Sequence, residues 1–247
     1  MIIKATDLTT KFGDRVIHDG LNFHVNEAEI YGLLGGSGTG KSTLMKTMIY
    51  LKEPSGGKVE MLGRDLWSLD EAARQEMKLA CSVMFQFGAL YTSMNVLENI
   101  YILLKEYSGM SERSMREIAM FWLQKVGLSE NVALQYPSEL SGGMKKRVAM
   151  ARALVLSPKI LFLDEPNSGL DPSSARAFDE LVVELRDTLG VTVVMVTHDI
   201  DSICTILDRF LILQDKKIAF EGTFEQLMKM PENPLEELLK TRKNGGK

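Results

Sequence analysis

The sequence lacks any apolar run long enough to cross a bilayer. Its cleanest runs, such as Ile160 to Leu163 and Val193 to Val196, are far shorter than the roughly 20 residues of a membrane-spanning helix. The segment from Met1 to Asp7 also lacks the basic residues and apolar stretch of a secretory signal. We therefore expect a chain that stays on the side of the membrane where it is made.

Cysteine and basic charge are scarce as well. The two cysteines, Cys81 and Cys204, stand far apart, which predicts buried reduced thiols in a reducing compartment rather than a disulfide or a metal site. The 29 basic and 33 acidic residues give a formal net charge of −4. Because a sequence-independent nucleic-acid binder needs a basic surplus, we expect no nucleic-acid partner.

The residues that are present are typical of a globular α/β protein. Of the 247 residues, 45% are hydrophobic, enough for a sizeable core. Helical periodicity runs, for example, from a cap at Asp171 to a stop at Gly190. Aliphatic runs without polar alternation predict parallel strands covered on both faces: Ile30 to Leu34, Ile160 to Leu163, Val191 to Val196 and Phe210 to Leu213.

Two regions depart from this pattern. Short apolar stretches at 3–8, 16–17 and 21–25, joined by 58–63, predict an antiparallel β patch. Residues 95–156 carry several helical signals and almost no strand signal. We predict a single domain over 1–247, with an α/β core at about 1–94 and 157–247 and a helical subdomain at about 95–156. Residues 241–247 form a polar tail that we expect to fray.

A glycine-rich segment follows the Ile30 to Leu34 run and precedes a helical pattern. Because strand, loop and helix in this order are the setting of a phosphate-binding loop, we predict a P-loop NTPase fold. Backbone N–H groups would face phosphate oxygens, the lysine would add positive charge, and the serine after it would offer a ligand to Mg²⁺. A plain glycine-rich turn is the alternative. The predicted nucleotide-binding residues are Gly35, Gly36, Ser37, Gly38, Thr39, Gly40, Lys41, Ser42 and Thr43.

Two acids, Asp164 and Glu165, end the apolar run 160–163. Buried carboxylates need a cation or strong donors to offset desolvation, and Mg²⁺ would supply the cation. We assign Asp164 to the Mg²⁺ shell and Glu165 to the attacking water. For each of them, an ordinary acid at a strand end is the alternative.

Ser141, Gly142 and Gly143 open a predicted helix that runs to about Leu156. A Ser-Gly-Gly start presents accessible N–H groups and the positive end of the helix dipole, which suits a second anion site. Taken from the residues alone, a simple capped helix is the favoured interpretation.

These features, in their order, resemble the ATP-binding subunit of an ABC transporter. The matching segments span nearly the whole chain: 35–42, 141–143, 164–165, 168–171 and 197–198. The resemblance implies an ATPase that uses ATP and Mg²⁺ and forms a homodimer. Two ATP molecules would lie between the chains, each held by the P-loop of one chain and Ser141 to Gly143 of the other.

The resemblance also implies roles for single residues. Gln86 is similar to a glutamine that contacts Mg²⁺ or water and senses the membrane partner, and His198 to a histidine that contacts the γ-phosphate. Phe12 stands where the family stacks an aromatic ring on adenine, and Asp171 resembles a dimer-contact aspartate. The structural alternatives are polar strand ends for the first two, a core aromatic for Phe12, and for Asp171 a helix cap, which can hold simultaneously.

The segment from Phe85 to Asn99 is similar to the glutamine-loop stretch of ATPases that serve MCE-type lipid transporters, including the maintenance-of-lipid-asymmetry (Mla) system. Met144 after Gly143 agrees. We expect partly exposed apolar anchors for a permease in this segment, at Phe87, Leu90 and Tyr91. Departures from the family patterns occur at Gly36, at Asn167 and in the C-terminal segment 233–239.

This subfamily implies a peripheral protein on the cytoplasmic side of the inner membrane that powers phospholipid transport through integral-membrane permease subunits. A periplasmic MCE-domain protein is expected in the same complex, and an accessory subunit is left open. Chromosome-organising and DNA-repair ATPases are excluded because no heptads separate Ser42 from Ser141, and a translation-associated ATPase would carry two cassettes. An ATPase of an amino-acid, metal or lipoprotein transporter is the alternative.

Overall fold

The computed structural model describes residues 1–231 and 233–234. Two β-sheets and a set of helices alternate along this part of the chain. The strands are β1 (Ile3–Phe12), β2 (Arg15–Val25), β3 (Ile30–Gly35), β4 (Gly56–Met61), β5 (Arg64–Asp65), β6 (Cys81–Met84), β7 (Ile160–Asp164), β8 (Thr192–Val196), β9 (Arg209–Gln214) and β10 (Lys217–Gly222). The helices are α1 (Lys41–Met48), α2 (Glu71–Ala80), α3 (Val96–Tyr107), α4 (Glu112–Lys125), α5 (Gly142–Leu154), α6 (Pro172–Leu189), α7 (Ile200–Thr205) and α8 (Phe224–Met228).

The larger sheet has the strand order β10-β9-β3-β8-β7-β6, and the strands from β9 to β6 are parallel. Every residue of β3 and β8 is buried, as expected when both faces of a parallel sheet are covered. The predicted parallel sheet is therefore confirmed. The sequence does not predict β10, an antiparallel partner of β9, because its mostly exposed or half-buried residues give no apolar run.

The smaller sheet is antiparallel, in the order β2-β1-β4-β5. The predicted antiparallel patch is confirmed, but β1 and β2 are two long strands where the sequence predicts three short ones. Register shifts fall between Ala5 and Leu8 and between Leu8 and Thr10. Each such irregularity interrupts the alternation of apolar and polar residues by which a strand is recognised.

Helices α3, α4 and α5 occupy the chain between β6 and β7, and no strand lies between Met84 and Ile160, as the helical signals predict. Ser141 caps α5 by accepting a hydrogen bond from the Met144 N–H. The helix ends at Leu154, slightly before the predicted end. The division into a core and a helical subdomain stays a prediction.

The hydrophobic core lies on both faces of the larger sheet. Along β7, Leu161 and Leu163 pack with the helices α3 to α6, whereas Ile160 and Phe162 pack with the smaller sheet and α1. The parallel strands are thus held between a helical layer and an antiparallel sheet. Their carboxyl ends meet at one edge, which is where open α/β sheets bind ligands.

The cysteines differ from the expectation of burial. Cys204 is exposed on α7, so its predicted burial is wrong. This short helix buries Ser202 and Ile203, and the next position turns outward. Cys81 is half-buried and burial raises its pKa to about 12. Both thiols are free.

Among the described residues, no helix combines the length and the apolar character that a membrane span requires. The tail 241–247, for which we predict fraying, lies outside the described residues, and so does most of the C-terminal segment 233–239.

Candidate active site

Parallel strands deliver the predicted site residues to one edge of the larger sheet. Strand β3 leads into the glycine-rich loop, β7 ends at Asp164, and β8 ends at Val196, just before Thr197. Asp164 and Val196 are partners in the β7–β8 ladder. The topology therefore brings together segments that are far apart in the sequence.

The loop between β3 and α1 closes around the Lys41 ammonium. The Nζ atom donates to the carbonyl oxygens of Gly35 and Gly36 at 2.8 and 2.9 Å. Gly38 and Gly40 have φ values of +79° and +102°, which glycine adopts without strain. Helix α1 starts with no side-chain cap and no acid in its first turn, so its N–H groups and positive dipole end suit a phosphate.

A buried histidine, His18 on β2, packs beneath this loop. A Cβ atom on Gly40 would lie 2.4 Å from the His18 Nε2 atom, so the close approach itself requires glycine. The His18 Nδ1 atom lies 2.7 Å from the Thr10 hydroxyl. Burial lowers the pKa of His18 to about 4, although the Gly40 backbone opposes this shift. The sequence does not predict that His18 supports the glycine-rich loop.

We expect His18 to make the fold acid-sensitive. Its folded pKa of about 4 lies below the ordinary value of 6.5, so protons bind the unfolded chain more tightly and stability is lost as the pH falls from 6.5 towards 4. The shift corresponds to about 3 kcal/mol. Urea unfolding at pH 7 and pH 4 should show a smaller loss of free energy for His18→Leu than for the wild type.

The matched control for this experiment is His24→Leu, which removes a half-exposed histidine from the same strand. It should keep the wild-type dependence on pH. An unchanged dependence in His18→Leu would contradict the assignment, whatever the overall stability of that variant.

The two acids at the end of β7 lie in an environment that favours a cation. Burial raises the pKa of Asp164, the charge of Glu165 adds to this, and Lys46 and Lys41 oppose it. Burial lowers the pKa of Lys41, against the attraction of both acids. Since a divalent cation would stabilise the charged carboxylates, the residues fit Mg²⁺.

Within the described part of the chain, no cluster of three or more His, Cys, Asp or Glu could hold a metal alone. At phosphoryl-transfer sites Mg²⁺ is held by one or two carboxylates, a hydroxyl and the phosphates of the substrate. Asp164 and Ser42 are the predicted protein ligands of such an ion.

Neighbouring residues contact both the side chain and the backbone of Glu165. Its Oε2 atom lies 2.6 Å from His198 Nδ1, and its N–H donates to the Val196 carbonyl at 2.9 Å. Its φ is +48°, a left-handed conformation that is uncommon for this residue type. The structure thus pairs the two residues that the sequence assigns to the water and the γ-phosphate.

Two further predicted residues lie at the loop after Glu165, one in contact with it and one at its end. Gln86, following β6, donates from its Nε2 atom to the Ser168 hydroxyl at 3.1 Å, so in this structure it faces the loop. Asp171 caps α6 by accepting from the N–H groups of Ser173 and Ser174. The Ser173 hydroxyl also donates to Asp171 at 2.6 Å. This bond first, and then the other bonds from Ser173 and Ser174, hold the pKa of Asp171 well below its ordinary value. The predicted helix cap is present.

Phe12 and the Ser141 turn lie on the surface. Phe12 is 54% exposed at the end of β1, which excludes the core alternative. The Lys52 ammonium lies 5.0 Å from the centre of its ring. Ser141 and Gly142 are exposed at the start of α5.

Two polar residues that fix the loop after Glu165 are not predicted from the sequence. Lys146 on α5 is buried and donates to three carbonyl oxygens of this loop. The buried Asn167 donates to Asp179 at 2.8 Å and to Ser202 at 2.9 Å. The signal for the lysine is weak: three consecutive basic residues, 145–147, on one helix turn, of which one must face inward.

Comparisons with known proteins find a matching family and similar chains. A family model described as "ABC transporter" matches residues 18–168. The chain is 36% identical to the "Intermembrane phospholipid transport system ATP-binding protein MlaF" of Haemophilus influenzae, over 99% of this chain and 92% of the relative. It is 35% identical to the "Probable ribonucleotide transport ATP-binding protein mkl" of Mycobacterium leprae, over 98% of this chain and 70% of the relative.

A solved structure shares the fold. It is the dimeric post-hydrolysis state of the ATP-binding cassette MJ0796 bound to ADP and Pi, with a TM-score of 0.81 and 30% sequence identity. The match covers 90% of this chain and 98% of that one. The predicted α/β fold is confirmed by this likeness.

Proposed function

Because this chain belongs to the ABC transporter family and is an ATPase, we propose that it drives phospholipid transport between membranes through an integral-membrane permease. The observation that carries the lipid assignment is the likeness to MlaF, which extends over nearly the full length of both chains. The match to the relative named for ribonucleotide transport covers 70% of that relative, against 92% of MlaF. ATPases of other transporters are the alternative.

The first step in the proposed mechanism is the binding of ATP in the P-loop. The Lys41 ammonium and the N–H groups at the start of α1 bind the phosphates, and the exposed Phe12 ring stacks on adenine. Asp164, Ser42 and Gln86 would hold Mg²⁺ beside the phosphates. Mg²⁺ supplies positive charge that neutralises the phosphate oxygens.

The second step is the attack of water on the γ-phosphate. Glu165 accepts the proton of this water at its carboxylate, because it lies beside the metal-binding aspartate and is only 17% exposed. His198 orients the carboxylate through the 2.6 Å contact and reaches the γ-phosphate when ATP is bound. The Asp164 and Glu165 side chains thereby take different roles.

A second copy of the chain completes each site. Ser141 to Gly143 of the other chain contact the γ-phosphate, and Asp171 lies at the contact between the two chains. The exposure of Ser141 and Gly142 at the start of α5 and the dimeric state of the solved cassette support this arrangement. ATP therefore favours the closed dimer, and ADP releases it.

The permease binds at the segment from Phe85 to Tyr91. Phe87 is 84% exposed and Tyr91 52% exposed, whereas Leu90 packs against the core, so the anchors are the two aromatic rings. Arg152 on α5 donates to the carbonyl oxygens of Gly88 and Ala89 and holds the segment from beneath. This docking places the chain at the cytoplasmic side of the inner membrane, in a complex with an MCE-domain protein.

Copurification tests the proposal. When the tagged wild-type chain is expressed in its native organism and purified, an MCE-type permease and an MCE-domain protein should copurify with it. The double variant Phe87→Ala with Tyr91→Ala should lose most of the permease and keep its ATP affinity, because large rings supply much of the binding energy at such interfaces. Phe121→Ala, which removes another exposed aromatic ring from α4, should retain the permease.

The alternative makes a different prediction for the same experiment. Recovery of an amino-acid, metal or lipoprotein permease in place of an MCE-type permease would overturn the lipid assignment. It would leave the ATPase assignment intact.

A further inference from the structure

One buried ammonium connects the helix that starts at Ser141 with the loop that carries Glu165. Lys146, in the second turn of α5, is 6% exposed. Its Nζ atom donates to the carbonyl oxygens of Glu165 at 3.4 Å and Ser168 at 2.7 Å, and also to that of Pro166. No other lysine in the described residues is buried to this extent.

The number of partners matches the chemistry of the ammonium group. A lysine ammonium has three N–H donors and no acceptor, and burying it is costly unless the donors are bonded. The three carbonyl oxygens satisfy all of them. Burial lowers the pKa of Lys146 to about 8, and the charge of Glu165 opposes this shift. Removing the ammonium would leave the loop carbonyls without these donors.

Several residues hold the 165–168 loop, and Lys146 differs from the others in the atoms that it contacts and in the helix that carries it. Gln86 donates to the Ser168 hydroxyl, and Val196 accepts from the Glu165 N–H. Lys146 contacts the carbonyl of Glu165 itself, where the backbone has the uncommon φ of +48°. Of these contacts, it is the one that comes from the helix whose first residues face the second chain.

We propose that Lys146 is a positioning residue, which holds the 165–168 loop so that the Glu165 carboxylate points at the attacking water. The inference rests on the proposed role of Glu165 as the base, and the experiment below separates the two.

The test compares Lys146→Met with Lys146→Arg in the full chain. Methionine keeps length and burial but has no donor, whereas arginine keeps the charge and the donors. We expect Lys146→Met to lower kcat by about 10- to 100-fold, the usual effect of a displaced catalytic group, with the affinity for ATP unchanged. Lys146→Arg should recover most of the turnover.

A second readout does not depend on turnover. Hydrogen exchange at the Ser168 and Leu170 N–H groups, which bond within this loop, should become faster in Lys146→Met, while exchange in α5 stays as in the wild type. Lys145→Met, which removes the neighbouring charge on the same helix, should change neither the exchange rates nor kcat.

One set of outcomes would refute the positioning role of Lys146, and a different outcome would refute the role of Glu165 as the base. Wild-type kcat in a folded Lys146→Met refutes positioning, and so does a parallel loss of ATP affinity and kcat that arginine does not recover. If the methionine variant does not fold, Lys146→Leu decides by the same criterion, since its side chain is also apolar and has no donor. An active Glu165→Gln would refute the base itself, independently of Lys146.

Discussion

Lys41→Ala should abolish measurable ATP binding. Lys41 is the one charged side chain of the segment 35–42, and its Nζ atom already lies within 2.9 Å of two loop carbonyls. Hydrogen bonds to charged groups contribute about 1.5–3 kcal/mol each. The loss of two such bonds to phosphate oxygens lowers the affinity by at least about 100-fold.

The measurement is titration of Mg²⁺-ATP by calorimetry, with Lys46→Ala as the matched control. Lys46 lies on the same helix and is exposed, so its removal lowers the local positive charge without touching the loop carbonyls. The control should bind ATP with nearly native affinity, because exposed charges contribute little. Near-native affinity in Lys41→Ala would show that the P-loop has been wrongly assigned.

The features that are predicted from the sequence depend on local signals. Helix α6 begins after Asp171 and ends before Gly190 as predicted, because a cap, a proline at the first turn and a left-handed glycine each act within a few residues. The P-loop is local in the same sense, since the strand before it and the helix after it adjoin the glycines. Capping of α5 by Ser141 belongs to the same class.

The features that are missed depend on distant contacts. The partners of Lys146 lie 19 to 22 residues further along the chain, and no periodicity indicates that three carbonyl oxygens point at this lysine. His18 is recognisable only once the hairpin of β1 and β2 packs on Gly40. Likewise the anchoring of Gly88 by Arg152 requires α5 to pack beside the end of β6.

Glu165→Gln should leave ATP bound and stop turnover. Glutamine keeps the shape of the side chain and can still form a hydrogen bond with His198, but it cannot accept the proton of the attacking water. A positioned base contributes about 10²- to 10⁴-fold to a rate, so kcat should fall by this factor. ATP should then accumulate in a closed dimer, detectable by bound-nucleotide analysis and by the molecular mass in solution.

Asp164→Asn is the comparison that separates the two acids. Loss of this carboxylate weakens the Mg²⁺ site, so the variant should need more Mg²⁺ and hold ATP less well. Glu165→Gln should show the wild-type Mg²⁺ requirement. If both variants behaved alike, the different roles given to the two acids would be wrong.

The remaining candidate for the base is His198, whose Nδ1 atom lies 2.6 Å from Glu165. If His198 only orients the carboxylate, His198→Ala leaves the base in place and lowers kcat less than Glu165→Gln does. If the imidazole itself takes the proton, the order of the two losses is reversed. Single-turnover rates of both variants, measured with ATP bound beforehand, compare the chemical step directly. The 17% exposure of Glu165 against 51% for His198 favours the carboxylate, because a base shielded from bulk water keeps the proton it accepts within the site.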